Sequence, residues 1–199
     1  GLVGNKDITV LNLPSTLRYF GMIDGMTSLK EINVADGNET YFSYNGALGK
    51  YARKSKYVWD DKKKDYEEEY YNRREIIALP EGYEGAFVVE DGEDLTFCCY
   101  AFSYLPKLTS VKLGKDTEFW GDHLSGFRGC TSLENIEVNG SIKGFLNIND
   151  TKFYKEQADG VLYSGKTVIG YKGIPEAGEK ITIKEGTEVG EVQEIEQDI

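Results

Sequence analysis

Nowhere does the sequence string together the roughly 20 apolar residues that a membrane-crossing helix needs, so no membrane insertion by this chain is expected. Basic residues are in the minority: 23 Lys and Arg stand against 34 Asp and Glu, a net charge of −11. Nucleic acid and anionic lipid both demand cationic surface, and neither is expected as a partner. Histidine occurs once, as His123, and cysteine three times, as Cys98, Cys99 and Cys130. An odd count without C-x-x-C excludes a complete disulfide framework. A zinc site from these four residues lacks ligand spacing. The cysteines are therefore read as small buried hydrophobes, and no metal or cofactor is expected.

Catalytic signatures are missing too. There is no G-x-S-x-G, P-loop, H-E-x-x-H or G-x-G-x-x-G. A histidine base would have to be His123, in "FWGDHLSGF" beside Asp122 and near Ser125. Adjacency in sequence gives no triad geometry, and His123 is read as a polar turn residue. The acidic stretches "DGED" and "DDKKKD" lack calcium-loop spacing. The expectation is a chain that is not an enzyme. The opening "GLVGNKDITV" does not read as a signal peptide, which leaves the compartment open. At 40% hydrophobic and 29% charged, the 199 residues suit a globular fold that buries its own core.

What the sequence does contain is repetition. "GMTSLKEINV" (25–34) returns as "GCTSLENIEV" (129–138), identical at six of ten positions. The apolar spacing L-x-x-I-x-V falls at Leu29, Ile32, Val34 and at Leu133, Ile136, Val138. A third copy is Leu108, Val111, Leu113, and a fourth is Ile8, Leu11, Leu13. The last two positions of each set are two apart, the period of a short strand; the first belongs to a turn leading in. A large apolar residue precedes the first Leu by six: Ile23, Phe102, Phe127. Apolar or Thr residues follow the strand at offsets of four and seven: Leu17 and Phe20, Thr117 and Trp120, Ile142 and Phe145. The second and third copies lie 25 residues apart (133 − 108), within the 20–29 of leucine-rich repeats. A helical face fits i, i+3, i+5 poorly, and Gly and β-branched residues crowd each unit. The fold class expected is a repeat solenoid of stacked short β-strands with irregular or short helical turns, Phe102 and Phe127 filling the side opposite the strands and Cys130 pointing inward as a spacer.

"AFSYLPKLTSVKL" and "GFRGCTSLENIEV" resemble the BspA-type leucine-rich repeats of bacterial surface proteins, and "LNLPSTLRYFG" is similar to the second half of such a unit. The departures are that Pro follows a strand only at Pro14 and Pro80, and that Gly126 stands where the family has Ala. "DGVLYSGKTVIGYKG" resembles a hairpin found between repeats of that family. The resemblance implies an exported or surface-displayed, extracellular protein of adhesion type. From the residues themselves, Asn45-Gly46 and Asp159-Gly160 are turn dipeptides that favour type I′ hairpins. The whole chain, 1–199, is thus read as one domain. Its repeats cover about 8–34, 95–146 and 181–191, and its hairpins interrupt at about 35–80 and 150–175. The acidic tail "EVQEIEQDI" is expected to fray.

One stretch is not repeat: "YARKSKYVWDDKKKDYEEEYYN" (51–72), which the second hairpin lacks. Residues 51–74 hold eight basic and six acidic side chains, leaving −13 on the remainder. "KYVW" and "YEEEYY" are expected to pair as a long hairpin with "DDKKKD" as its turn, opposite charges across the strands contributing about 0.2–1 kcal/mol per pair. Tyr57, Trp59, Tyr66 and Tyr70 are the candidate binding residues, because Tyr and Trp supply contact area at low entropy cost. The functional expectation is a non-enzymatic binding module for a protein or glycan partner, using a repeat sheet face and this aromatic hairpin. A structural spacer in a larger surface assembly and a carboxylate-dependent hydrolase are the alternatives.

Overall fold

A computed structural model describes residues 2–21, 23–121 and 124–189. Asp122, His123 and the acidic tail from Glu191 lie outside the described residues. The chain is mostly β-strand with almost no helix, stacked in parallel as a β-solenoid of about six turns. In order the elements are β1 (Val10–Leu13), β2 (Glu31–Val34), β3 (Tyr41–Tyr44), β4 (Ala47–Asp60), β5 (Asp65–Ala78), β6 (Gly85–Val88) and β7 (Thr96–Phe97). There follow β8 (Leu108–Leu113), β9 (Glu118–Gly121), β10 (Asn135–Val138), β11 (Ser141–Gly144), α1 (Lys152–Glu156), β12 (Gly160–Ser164), β13 (Thr167–Lys172) and β14 (Glu188–Val189).

The leucine-spaced strands stack like on like. β1 pairs parallel with β2, setting Leu11 against Ile32 and Leu13 against Val34. β8 pairs parallel with β10, setting Val111 against Ile136 and Leu113 against Val138. The bonds between coils repeat as well. Lys30 N donates to Thr9 O at 2.8 Å and Glu134 N to Thr109 O at 3.0 Å; Ala35 N and Asn139 N donate to Leu13 O and Leu113 O, both at 2.9 Å. A second wall runs β5-β7-β9-β11 in parallel, and antiparallel β4 and β3 extend it beyond β5.

Between the walls lies the core. Leu29, Leu108, Val111 and Leu133 are fully buried, and so are Phe87, Phe97, Phe102, Phe119 and Phe127. Phe102 and Phe127 come from the turns, as their position six before each Leu predicts. Their rings lie 5.2 Å apart and pack on Phe119 at 5.9 and 5.8 Å. Each buried side chain contributes roughly 1.5–3 kcal/mol. Cys130 points inward as expected, its thiol donating to Phe102 O at 2.8 Å.

Four residues before the first apolar residue of each copy, the backbone is left-handed: Gly4 (φ 75), Gly25 (φ 75), Tyr104 (φ 60) and Gly129 (φ 75). These turns also stack, Gly4 N donating to Asp24 O and Tyr104 N to Arg128 O. Glycine adopts this conformation without a Cβ clash; tyrosine does not.

Two expectations need correction. The offset of four falls on the buried Thr117 and Ile142, but the offset of seven does not mark an inward position in the second wall. Phe119, not Trp120, faces the core, and it pairs with Ile142; Trp120 is exposed. The turn Gly114–Thr117, closed by Thr117 N donating to Gly114 O, is two residues longer than the Asn139-Gly140 turn stacked on it. The second misplacement is the turn of the later hairpin. Gly160 already pairs with Lys172 at the open end, and the loop is Gly165-Lys166 between the paired Ser164 and Thr167. Gly165, at φ 58, occupies the first central position, where a type II′ turn wants glycine. The first hairpin does turn at Asn45-Gly46, with φ 47 and 80 as type I′ requires.

Both hairpins close a wall edge with a serine. Ser43 Oγ accepts from Val34 N at 2.6 Å. Ser164 Oγ accepts from Val138 N at 2.7 Å and donates to Ile136 O at 2.9 Å. The one helix among the described residues, α1, is capped by Thr151, whose hydroxyl accepts from Tyr154 N.

Tyr104 generates a prediction. Its side chain is exposed, so Tyr104→Gly removes left-handed strain and little packing. The variant is expected to be about 1 kcal/mol more stable in denaturant melts; a destabilised variant would show that the turn depends on the Tyr104 ring.

Candidate functional site

The candidate site is the part of β4 and β5 that leaves the body. No residue from 53 to 72 is buried. The two strands remain paired throughout, from Arg53 opposite Asn72 to Asp60 opposite Asp65, and the turn closes through Lys64 at φ 55. Eight residues per strand make an arm roughly 25 Å long. Lys56 lies opposite Glu69, Tyr57 opposite Glu68 and Trp59 opposite Tyr66, the pairing expected of the long hairpin.

Alternation sorts the arm into two unlike faces. One carries Arg53, Ser55, Tyr57 and Trp59 across from Asn72, Tyr70, Glu68 and Tyr66, so all four candidate residues share it. Their exposures are 71% for Tyr57, 46% for Trp59, 63% for Tyr66 and 56% for Tyr70. Trp59 and Tyr66 meet edge to face at 5.2 Å, and the Arg53 guanidinium sits 4.2 Å from the Tyr70 ring centroid. Tyr70 donates to Glu68 at 2.8 Å. Hydrogen bonds from Ser55 and then Tyr70 hold the Glu68 carboxyl below its ordinary range, and the bond to Glu68 raises the Tyr70 phenol. The other face is ionic, with Lys56 paired to Glu69 at 3.4 Å and Lys63 to Glu67.

The aromatic face is the inward face of the second wall, continued past the body. Even-numbered positions of β5 run from Tyr66 and Tyr70 through Arg74 to the fully buried Ile76. On β4 the same face reaches Tyr51, whose ring packs on Phe42 at 5.1 Å. Phe42 lies across Gly49, where a Cβ would come within 2.1 Å of the ring; only glycine admits it.

Two ion pairs root the arm: Arg73 to Glu118 at 2.8 Å and Arg74 to Glu93 at 2.9 Å. Arg74 also stacks on Phe42, 5.0 Å from its centroid. Burial alone would raise the Glu118 carboxyl, but hydrogen bonds from Arg73 and Trp120 outweigh it and hold the group below its ordinary value. Burial likewise opposes the Arg73 charge, and the bond to Glu118 overcomes it.

Burial pushes the Cys98 thiol up to about 11 and Cys130 up to about 12, far from the thiolate that nucleophilic or metal chemistry requires. Among the described residues no three His, Cys, Asp or Glu side chains gather as metal ligands. A hollow of about 560 Å³ on the body offers one carboxylate, Glu81, which already accepts from Gly25 N at 2.6 Å. A second, of about 340 Å³ at the arm tip, has four. Glu67 and Glu69 face lysines there, Asp60 accepts from Lys62 N and Lys63 N, and Asp61 accepts from Trp59 Nε1.

The reach and the root of the arm each generate a prediction. Replacing residues 54–71 by an Asn-Gly turn joins the paired Arg53 and Asn72; the body should unfold within about 1 kcal/mol of the parent, as for changes remote from a core. Loss of cooperative unfolding would place the arm in the core. Glu118 acts through pH. Because its folded value is depressed, its contribution is present above the ordinary carboxylate value and lost as pH falls through the folded one. Acid titration of stability should therefore be shallower for Glu118→Gln, the two curves converging at low pH.

Compared with protein-family models, curated proteins and solved structures, the chain matches none.

Proposed function

We propose that this protein is a non-catalytic recognition module, a leucine-rich-repeat solenoid of the BspA type displayed outside the cell, which binds a protein or glycan through the aromatic face of its arm. The observation that carries the reading is the sorting of Tyr57, Trp59, Tyr66 and Tyr70 onto one exposed face of a ribbon held clear of the core. Tyr and Trp are the residues that dominate recognition surfaces, being large, stiff and amphipathic. The like-on-like register of the L-x-x-I-x-V strands supports the leucine-rich-repeat identity. The rooting ion pairs support a fixed geometry between arm and repeat sheet. Display outside the cell rests on the resemblance of the repeats alone.

Immobilised extracellular-matrix proteins and acidic glycans, screened with the intact chain and with a Tyr57→Ala, Trp59→Ala, Tyr66→Ala, Tyr70→Ala variant, test it. Saturable binding is expected for the parent. The variant should bind at least about 100-fold more weakly, since two hot-spot aromatics already account for that much. Equal binding by both forms sinks the arm as the site, and binding by neither favours a spacer.

A further inference from the structure

Within the arm, β4 has a strand on one edge and room for a strand on the other. On its inner edge lies β5, paired from Arg53 opposite Asn72 to Asp60 opposite Asp65. On its outer edge β3 pairs only as far as Lys50, and one further bond follows, from Tyr51 N to Thr40 O at 2.9 Å. Among the described residues no strand lies outside β4 beyond that bond. The bond also shows which backbone groups face outward. In an antiparallel ladder alternate residues turn N–H and C=O to the same side. Tyr51 turns outward, and the register with β5 is unbroken from Lys50 to Asp60, so Arg53, Ser55, Tyr57 and Trp59 turn outward too. Among the described residues no backbone group pairs with their outward N–H and C=O.

The inner edge shows what kind of strand β4 accepts. Side chains stand above or below a sheet, so the two faces of β4 serve both of its edges. β5 meets the aromatic face with Tyr66 opposite Trp59 and Tyr70 opposite Ser55, and the ionic face with Glu69 opposite Lys56. It is an acidic strand. Residues 65–72 hold four acidic side chains and no basic one, whereas residues 51–60 hold three basic and one acidic. A strand on the outer edge meets Lys54 and Lys56 on one face and Tyr57 and Trp59 on the other, so the same pattern fits there. The acidic body does not oppose it. The arm reaches roughly 25 Å, about three times the length over which physiological salt screens charge.

A second copy fits this edge poorly. Pairing β4 with β4 sets two basic strands side by side, and like charges opposite one another destabilise a ladder. Laying β5 of another arm along β4, fully overlapped, sets the two bodies about 10 Å apart. The wall that carries the arm is six strands wide, about 24 Å, so the bodies would collide. We infer that the outer edge of β4, from Arg53 to Trp59, takes an acidic, extended peptide segment of another protein as an added antiparallel strand. Its carboxylates lie toward Lys54 and Lys56, and its aromatic or β-branched residues toward Tyr57 and Trp59. This rests on the arm being the recognition site, and it names the class of partner and the way it is held.

Fluorescence anisotropy of the intact chain with an end-blocked, labelled peptide DYEEEYYN, the sequence of residues 65–72, tests this. Saturable binding is expected, weakening as salt is raised. The same peptide with its three glutamates replaced by lysine should bind at least about 10-fold more weakly, because the charge pairs across the strands change sign. Ser55→Pro removes an outward N–H and puts a ring in the path of the added strand. It keeps the ladder to β5 and all four aromatic rings, and an edge tolerates it. Binding should be lost in Ser55→Pro and retained in Ser55→Ala, which loses only the hydroxyl; an unchanged unfolding transition confirms that both are folded. Methylation of alternate amide nitrogens of the peptide tests the ladder without altering the protein: one set should abolish binding and the other leave it intact. A parent that does not bind overturns the inference. So does a folded Ser55→Pro that binds like the parent, or a peptide indifferent to which amides are methylated. Self-association of the protein alone, removed by Ser55→Pro, would place a second copy on the edge and overturn it as well. If the peptide fails while a matrix protein or glycan binds and the Tyr57→Ala, Trp59→Ala, Tyr66→Ala, Tyr70→Ala variant loses it, the edge falls and the aromatic face stands.

Discussion

Every coil of this protein has an apolar face that only another coil can cover. A strand of four residues such as β2 or β10 buries one or two side chains and leaves its ladder half satisfied, so alone it would not persist. Laid in register on a neighbour, Leu11 on Ile32 or Val111 on Ile136, it gains both the hydrogen bonds and the burial at once. The five stacked phenylalanines behind the strands extend this dependence through the second wall. Stability in such a stack is a sum of neighbour terms, and the places where a neighbour is missing are where the architecture must change.

The hairpins are one such change. A wall strand at a boundary has unpaired N–H and C=O groups, and each hairpin answers with a serine hydroxyl: Ser43 on β2, Ser164 on β10. The first hairpin then does something the second does not. Its second strand runs on past the body, and β5 returns beside it, so a wall of the solenoid extends into water as two strands. A free two-stranded ribbon is marginal at best. This one is anchored where Arg73 and Arg74 reach opposite partners, Glu118 in the next wall strand but one and Glu93 in the loop before β7.

Much of the first wall is legible in the sequence, because a strand's period of two and the lead-in Leu three residues earlier are local geometry. The same holds for the inward Phe102 and Phe127 and for the pairing of the long hairpin, whose alternating "KSKYVW" and "YEEEYYN" announce two faces. The left-handed residue four before each Leu leaves a signal as Gly4, Gly25 and Gly129, hidden only at Tyr104. The second wall is not legible, since its register depends on turn length. Two extra residues after Leu113 move the inward position from the fourth residue on, as at Ile142 after Val138, to the sixth, Phe119. The later hairpin's loop escapes a local reading for a related reason. Asp159-Gly160 and Gly165-Lys166 are both plausible turns locally, and the choice is made by where Lys172 pairs.

The arm's chemistry follows from its continuity with the core. Inside the body the inward face of the second wall carries Phe42, Ile76, Phe97, Phe119 and Ile142, all buried. Past Gly49 the same face carries Tyr51, Tyr57, Trp59, Tyr66 and Tyr70 instead, and none of the nine phenylalanines lies between Phe42 and Phe87. Flat aromatic area is kept across that boundary while a phenol or indole N–H is added to each ring. A polar edge is what an aromatic needs to stand in water without collapsing onto its neighbours. The rings also serve the ribbon itself, since Trp59 and Tyr66 stand directly opposite each other and meet edge to face. The change from phenylalanine to tyrosine and tryptophan at the rim of the body therefore marks where packing ends and exposure to water begins.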